Sequence, residues 1–148
     1  MLDLSFEFTV KESKILSIKI FDSSSYNLSI NGPNTLKKTI EDYLSLYLNG
    51  KSGSLPIDKS FSPFSLKVYD FISKSLPGNI YTYKEVAKAI GCPKGYRAVG
   101  NSLNKNPFPL LIPCHRVVST KDLGGFAYGK RVKEKLLAFE KDLSLIRT

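Results

Sequence analysis

The sequence predicts an α/β (α+β) protein: a small antiparallel sheet with one helix, followed by a mainly helical unit. Three observations carry this reading. Apolar and polar residues alternate in three short runs before residue 31, helical spacing takes over from residue 36, and a Ser/Gly/Pro-rich stretch at 51–61 separates the two patterns. Alternation with period two marks half-buried strands, and a period near 3.6 marks amphipathic helices. The expected division is 1–57 and 58–148. A chain of 148 residues suits one compact unit or two small ones packed together.

Phe6, Phe8 and Val10 define the first strand, Leu16, Ile18 and Ile20 the second, and Tyr26, Leu28 and Ile30 the third. Polar turns at 11–14 and 22–25 separate them, which predicts a half-buried meander. Asn31-Gly32-Pro33-Asn34 breaks the pattern, and Asn34 is placed to cap a helix. Leu36, Ile40, Tyr43, Leu44, Tyr47 and Leu48 come next at helical spacing, with Gly50 to end it. No titratable cluster stands out in this first third, so it reads as scaffold. After the linker, Ser62-Pro63 marks a helix start, with Phe64, Val68, Phe71 and Ile72 as its apolar face and Pro77-Gly78 as its stop. Helices are expected from about Lys84 to Ile90 and from Tyr96 to about Asn104, joined by a glycine-containing turn. Such a pair matches a helix-turn-helix unit, and also helical hairpins in general. A last helix is expected from Arg131 to about Asp142, with Val132, Leu136 and Phe139 on one stripe and Glu140 beside them.

Composition narrows the function. Hydrophobic residues make up 42% and charged residues 24%, ordinary values for a chain that builds a core. No apolar run reaches the length of a membrane span, and the N-terminus has neither the basic start nor the apolar core of a secretory signal. Two cysteines make no disulfide framework, so a reducing, cytoplasmic setting is expected (nucleoid-associated, or nuclear in a eukaryote). The formal net charge of +9 attracts phosphate backbones, although scattered lysines also serve solubility.

One stretch concentrates chemistry. In Leu110-Leu111-Ile112-Pro113-Cys114-His115-Arg116-Val117-Val118, one of two cysteines stands beside the only histidine. A thiolate is the reactive form of cysteine, and an imidazole or a nearby cation such as Arg116 favours it. Consecutive residues of a strand face opposite ways, so a Cys114–His115 proton transfer requires a turn or a bridging water. Pro113 makes a bend plausible. The plainer reading is a buried, inert cysteine. Upstream, Arg97-Ala98-Val99-Gly100 combines an always-charged side chain with small residues that allow close approach of a helix to another surface. That surface is a nucleic-acid groove or a neighbouring helix. Downstream, the glycine-rich loop 119–129 with Phe126 and Ala127 is able to approach a planar ligand closely, or is simply a surface loop.

Asn106-Pro107-Phe108-Pro109 followed by the Pro113-Cys114-His115-Arg116-Val117 string resembles the signature of the O6-alkylguanine-DNA alkyltransferases. The likeness runs back through Arg97-Ala98-Val99-Gly100 to Tyr83 and forward to Glu140, over roughly residues 63–142. It implies a winged-helix-like DNA-binding unit and a suicide repair reaction: an O6-alkylguanine (or O4-alkylthymine) in duplex DNA is flipped out, and its alkyl group moves irreversibly to Cys114. On that resemblance His115 is the general base through a water, Glu140 orients it, Tyr83 gives a proton to the guanine, and Asn106 holds the turn. Arg97 fills the space of the flipped nucleotide while Ala98, Gly100, Tyr96 and Tyr83 meet the DNA; Val117, Phe126, Ala127 and Pro109 meet the base. The partner implied is lesion-bearing double-stranded DNA, bound by a monomer through the minor groove, with no membrane, cofactor or metal. Tyr96 stands where the family often has a small residue, and Phe126 where it often has a tyrosine. A zinc site as in some relatives lacks ligands here, and Cys92 reads as structural. The alternative within the resemblance is an alkyltransferase-like protein that binds damage without transfer, but those lack the acceptor cysteine. A cysteine hydrolase leaves Arg97 and the paired helices unexplained, and a plain transcriptional regulator should show strong preference for one duplex sequence.

Overall fold

The computed structural model describes residues 2–147. Strands β1 (Leu4–Lys11), β2 (Lys14–Asp22) and β3 (Asn27–Asn31) form a sheet in the order β2-β1-β3. Every inward residue of β1, Leu4, Phe6, Phe8 and Val10, is apolar and buried, which suits the central position. The expected meander is corrected here. β2 is antiparallel to β1, but β3 pairs in parallel along the opposite edge of β1, beginning at Ser5↔Asn27. Residues 23–26 therefore cross the end of β1, a gap of roughly 10 Å at two strand spacings. Alternation tells which face is buried and nothing about which strands are neighbours.

Leu16 is the second correction. The register shifts between Thr9 and Val10, so that Val10 faces Ile15 while Thr9 faces Ser17. The extra residue of this bulge turns Leu16 to solvent at 50% exposure, and Ile15 takes its place in the core. Helix α1 (Lys37–Leu48) comes after a 3-10 turn at Asn34–Leu36. Asn34, expected as the cap, lies within that turn, and no side chain caps the helix. Residues 51–62 contain no helix, yet they are not loose. Ile15 N–H donates to Pro56 O (2.8 Å), Ile57 bridges to Ile15, and Leu55 is buried.

Helix α2 (Pro63–Ser73) starts as expected, with Ser62 Oγ accepting from Ser65 N–H and proline in the first turn. A short strand β4 (Tyr81–Thr82) leads into α3 (Tyr83–Ala89), closed by a reciprocal Thr82–Glu85 capping box. Helix α4 (Tyr96–Asn104) matches its expected span. Strand β5 (Val117–Val118) pairs in parallel with β4, so the cysteine segment returns beside the start of α3. Helix α5 (Lys130–Arg147) runs further than expected. One hydrophobic cluster joins β1, α1, α2 and α4 to Leu136 on α5. Ile18 ties the sheet to the loops on either side of the cysteine turn: its N–H donates to Pro107 O (2.9 Å) and its carbonyl accepts from Tyr128 Oη (3.2 Å). Among the described residues no helix is long and apolar enough to cross a membrane.

Candidate active site

Cys114, His115 and Arg116 form a single 3-10 turn after Pro113. Successive side chains on such a turn point about a third of a revolution apart. The bend anticipated at Pro113 is thus present, and it sends the three side chains in different directions. The stretch before it is braced by Asn106, whose Nδ2 donates to Ile112 O (2.8 Å) while its Oδ1 accepts from Phe108 N–H (2.9 Å). Within this braced loop Leu110 holds a left-handed φ of 78°. That conformation costs a branched residue about 1–2 kcal/mol, and burial of the Leu110 side chain offsets it.

Cys114 lines a cavity of about 230 Å3 together with Tyr83, Gly100, Asn101, Phe126 and Ala127, among others. Burial pushes its thiol up to about 11, against a partial pull downward from the Asn106 amide and the Lys133 charge. The resting group is therefore a neutral thiol at pH 7, and reaction needs a base. His115 is fully buried with Nε2 2.6 Å from Glu140 Oε2. Burial pushes the Glu140 carboxyl up, but His115 and Arg116 outweigh it and hold it at about 2. Glu140 is thus a carboxylate, and His115 Nε2 must be the donor. The other ring nitrogen, Nδ1, is buried without a hydrogen-bond partner among the described residues, so it is the ring position open to a proton exchange. No direct hydrogen bond joins it to Cys114 among the described residues.

Arg116 does not serve the thiol, as the sequence suggested. Its Nε donates to Glu140 Oε1 (2.7 Å), Nη2 to Oε2 (3.2 Å), and Nη1 to Ser75 O and Oγ (both 2.9 Å). The cation that acts on Cys114 is Lys133. It is buried on α5, and its Nζ donates to Val117 O (2.7 Å) and Gly125 O (3.0 Å). Burial lowers its pKa to about 8, with Cys114 and Asp122 opposing. The arrangement offers a thiol in a cavity, a histidine with one unpartnered ring nitrogen, and an anchored carboxylate behind it. That is the layout of a nucleophile prepared for transfer.

The 6-O-methylguanine DNA methyltransferase, DNA binding domain model matches residues 63–142. The chain belongs to this methyltransferase family. A probable methylated-DNA--protein-cysteine methyltransferase of Acanthamoeba polyphaga mimivirus is 36% identical over 88% of this chain and 84% of its own length. The methylated-DNA--protein-cysteine methyltransferase of Metallosphaera sedula is 43% identical over 66% of this chain and 63% of its own. The crystal structure of Mycobacterium tuberculosis OGT in complex with DNA covers 94% of each chain with a TM-score of 0.74; at 23% identity it speaks for the fold alone.

Within this methyltransferase-family chain the fold gathers most residues singled out in the sequence. Cys114, His115, Glu140 and Asn106 meet at one turn, and Tyr83, Gly100, Phe126 and Ala127 line the cavity. The glycine loop closes on Tyr83 so tightly that a Cβ on Gly124, at φ +73°, would lie 2.6 Å from the phenol oxygen. Arg97, Ala98 and Tyr96 are exposed on α4, with Lys84 Nζ held 5.5 Å over the Tyr96 ring. Pro109 and Val117 are buried beside the cavity and are not on its wall. Two residues escaped the sequence reading. Lys133 stands seven residues before Glu140, two turns along one helical face, which is a usable signal in hindsight. Tyr47 comes from the segment expected to be scaffold only, and its Oη donates to Glu140 Oε2 at 2.6 Å; apolar helical spacing hid it.

Proposed function

We propose that this protein repairs DNA by moving the alkyl group of an O6-alkylguanine, and of O4-alkylthymine, from duplex DNA onto its own Cys114, once per molecule and irreversibly. The observation that carries the reading is the neutral, buried thiol on the cavity wall, backed by a histidine whose Nδ1 is free and whose Nε2 is fixed on Glu140. The Sγ–carbon bond forms as the carbon–O6 bond breaks. The thiol proton leaves through a water to His115, and Tyr83 supplies one to the guanine ring. Glu140 keeps the imidazole in the Nε2–H form, and Asn106 holds the turn. Phe126 and Ala127 wall the base site, and Val117 and Pro109, off that wall, support it from behind.

A base inside a duplex is out of reach of a buried thiol, so it must be flipped, which costs a few kcal/mol and least for a poorly paired lesion. Arg97 takes the vacated space in the stack, with Ala98, Gly100, Tyr96 and Tyr83 against the minor groove. Contacts there carry little sequence information, which suits lesions that arise anywhere. The partner is lesion-bearing double-stranded DNA, bound by a monomer. Residues 1–57 form the supporting unit and 58–148 the reacting one.

The test is intact and peptide mass analysis after mixing with a duplex carrying one O6-methylguanine. One methyl per molecule, on Cys114 and matched by restored guanine, is the expected result. Tight binding without mass change would replace transfer by damage recognition alone.

A further inference from the structure

The carboxylate behind the histidine has an unusual load. Glu140 Oε2 accepts from His115 Nε2 (2.6 Å), Tyr47 Oη (2.6 Å) and Arg116 Nη2 (3.2 Å), while Oε1 takes Arg116 Nε (2.7 Å). Tyr47 reaches in from α1, and its ring packs on Phe139, centroids 5.8 Å apart. Burial and the adjacent Glu140 charge push its phenol well above the ordinary tyrosine value, so it can only donate. An oxygen that receives a second short hydrogen bond gives less negative charge to the first donor. A carboxylate alone against an imidazole stabilises the imidazolium, and an imidazolium has no lone pair with which to take a proton.

We propose that Tyr47 is a positioning residue for the base: by donating to Glu140 Oε2 it pins the carboxylate and tempers its pull on His115, keeping the imidazole neutral and able to accept. The first unit therefore tunes the chemistry of the second. The role rests on the alkyl-transfer reading above, but the electrostatic link is measurable without any transfer. The ionisable groups facing this network are Tyr43 and Tyr47 on α1, Arg116 and His115 on the cysteine turn, and Lys133 toward the thiol on α5. Tyr43 is buried beside Tyr47 and makes no hydrogen bond to Glu140, so it supplies a control on the same helix.

The chain has one histidine, so every imidazole nitrogen signal in a 15N-histidine sample reports His115. The experiment tracks those signals against pH in the full-length wild type, Tyr47→Phe and Tyr43→Phe, and tracks the methyl-transfer rate over the same range. Tyr47→Phe should raise the midpoint of imidazole protonation by about half a unit, roughly a threefold change in the proton equilibrium. The acid limb of the transfer rate should move with it, and Tyr43→Phe should leave both in place. A merely structural tyrosine would lower the melting temperature without moving the midpoint, and an unmoved or lowered midpoint overturns the proposal. If Tyr47→Phe does not fold, a fluorinated tyrosine placed at 47, a stronger donor, should lower the midpoint; no shift there is equally decisive. Wild type that never accepts a methyl group while the nitrogen shifts still respond to Tyr47→Phe would sink the transfer reading and leave the link standing.

Discussion

Replacing Glu140 by glutamine keeps the shape of the side chain and removes the charge at the centre of the buried network. In the wild type the carboxyl is 1% exposed and held at about 2 instead of 4.5. The folded value is depressed, so the stabilisation is complete above the unfolded value and is lost as pH falls from 4.5 toward 2. At 1.36 kcal/mol per unit the loss over that window is about 3 kcal/mol. At neutral pH, Glu140→Gln leaves the Arg116 guanidinium buried without its counter-charge. Breaking such a pair costs about 3–5 kcal/mol, or roughly 10–15 °C in Tm for a chain of this length. The two proteins should then converge in acid, because protonation removes from the wild type what the substitution has removed already. Urea unfolding at pH 7, 5, 4 and 3 measures both curves, and their difference isolates Glu140 from the surface carboxylates. A difference that stays constant across the range would refute the assignment of Glu140 as the charged anchor of the network.

The geometry sets three further outcomes. Cys114 is buried and its thiol raised to about 11, whereas Cys92 is partly exposed; a small alkylating reagent at pH 8 should label Cys92 at least ten times faster, as read from peptide masses, and equal rates would contradict a protonated resting thiol. Arg97→Ala should slow repair of duplex DNA while leaving reaction with free O6-benzylguanine intact, because Arg97 is exposed on α4 and off the cavity wall; an equal loss with both substrates would contradict its proposed role. Gly124→Ala forces a side chain into a left-handed position against the Tyr83 phenol, and should cost about 1–2 kcal/mol in thermal unfolding, together with a drop in transfer rate.

Local chemistry was legible in the sequence, and long-range order was not. Ser62-Pro63 announced the start of α2, and the composition around Tyr96–Asn104 gave α4 its bounds, because caps and breakers act within a few residues. The family likeness singled out Asn106, His115 and Glu140, and the structure shows their contacts, Asn106 with Ile112 and His115 with Glu140, while their roles belong to the proposal. The parallel pairing of β3 and the outward Leu16 were beyond reach, since strand order and a bulge depend on partners distant in the chain. Arg116 was misread because adjacency in sequence was taken for adjacency of charge; the 3-10 turn carries its guanidinium away to Glu140 and Ser75. Tyr47 and Lys133 each sit in an amphipathic helix as one more member of a buried face, and only the contacts made at their polar ends set them apart.

Strand β2 lies at the margin of its sheet, and such a margin is a template on which another chain adds a strand. Here it is sealed by two backbone carbonyls and one side chain: Pro56 O takes Ile15 N–H, Pro107 O takes Ile18 N–H, and the Tyr128 hydroxyl covers the Ile18 carbonyl. Two of these seals belong to the loops that flank Cys114. Loss of either loop's contact would leave the Ile18 N–H or carbonyl without a partner and open that margin to a further strand. The two loops that flank the reacting turn therefore also keep the sheet from adding a neighbour, so a change in either loop bears on aggregation as well as on chemistry.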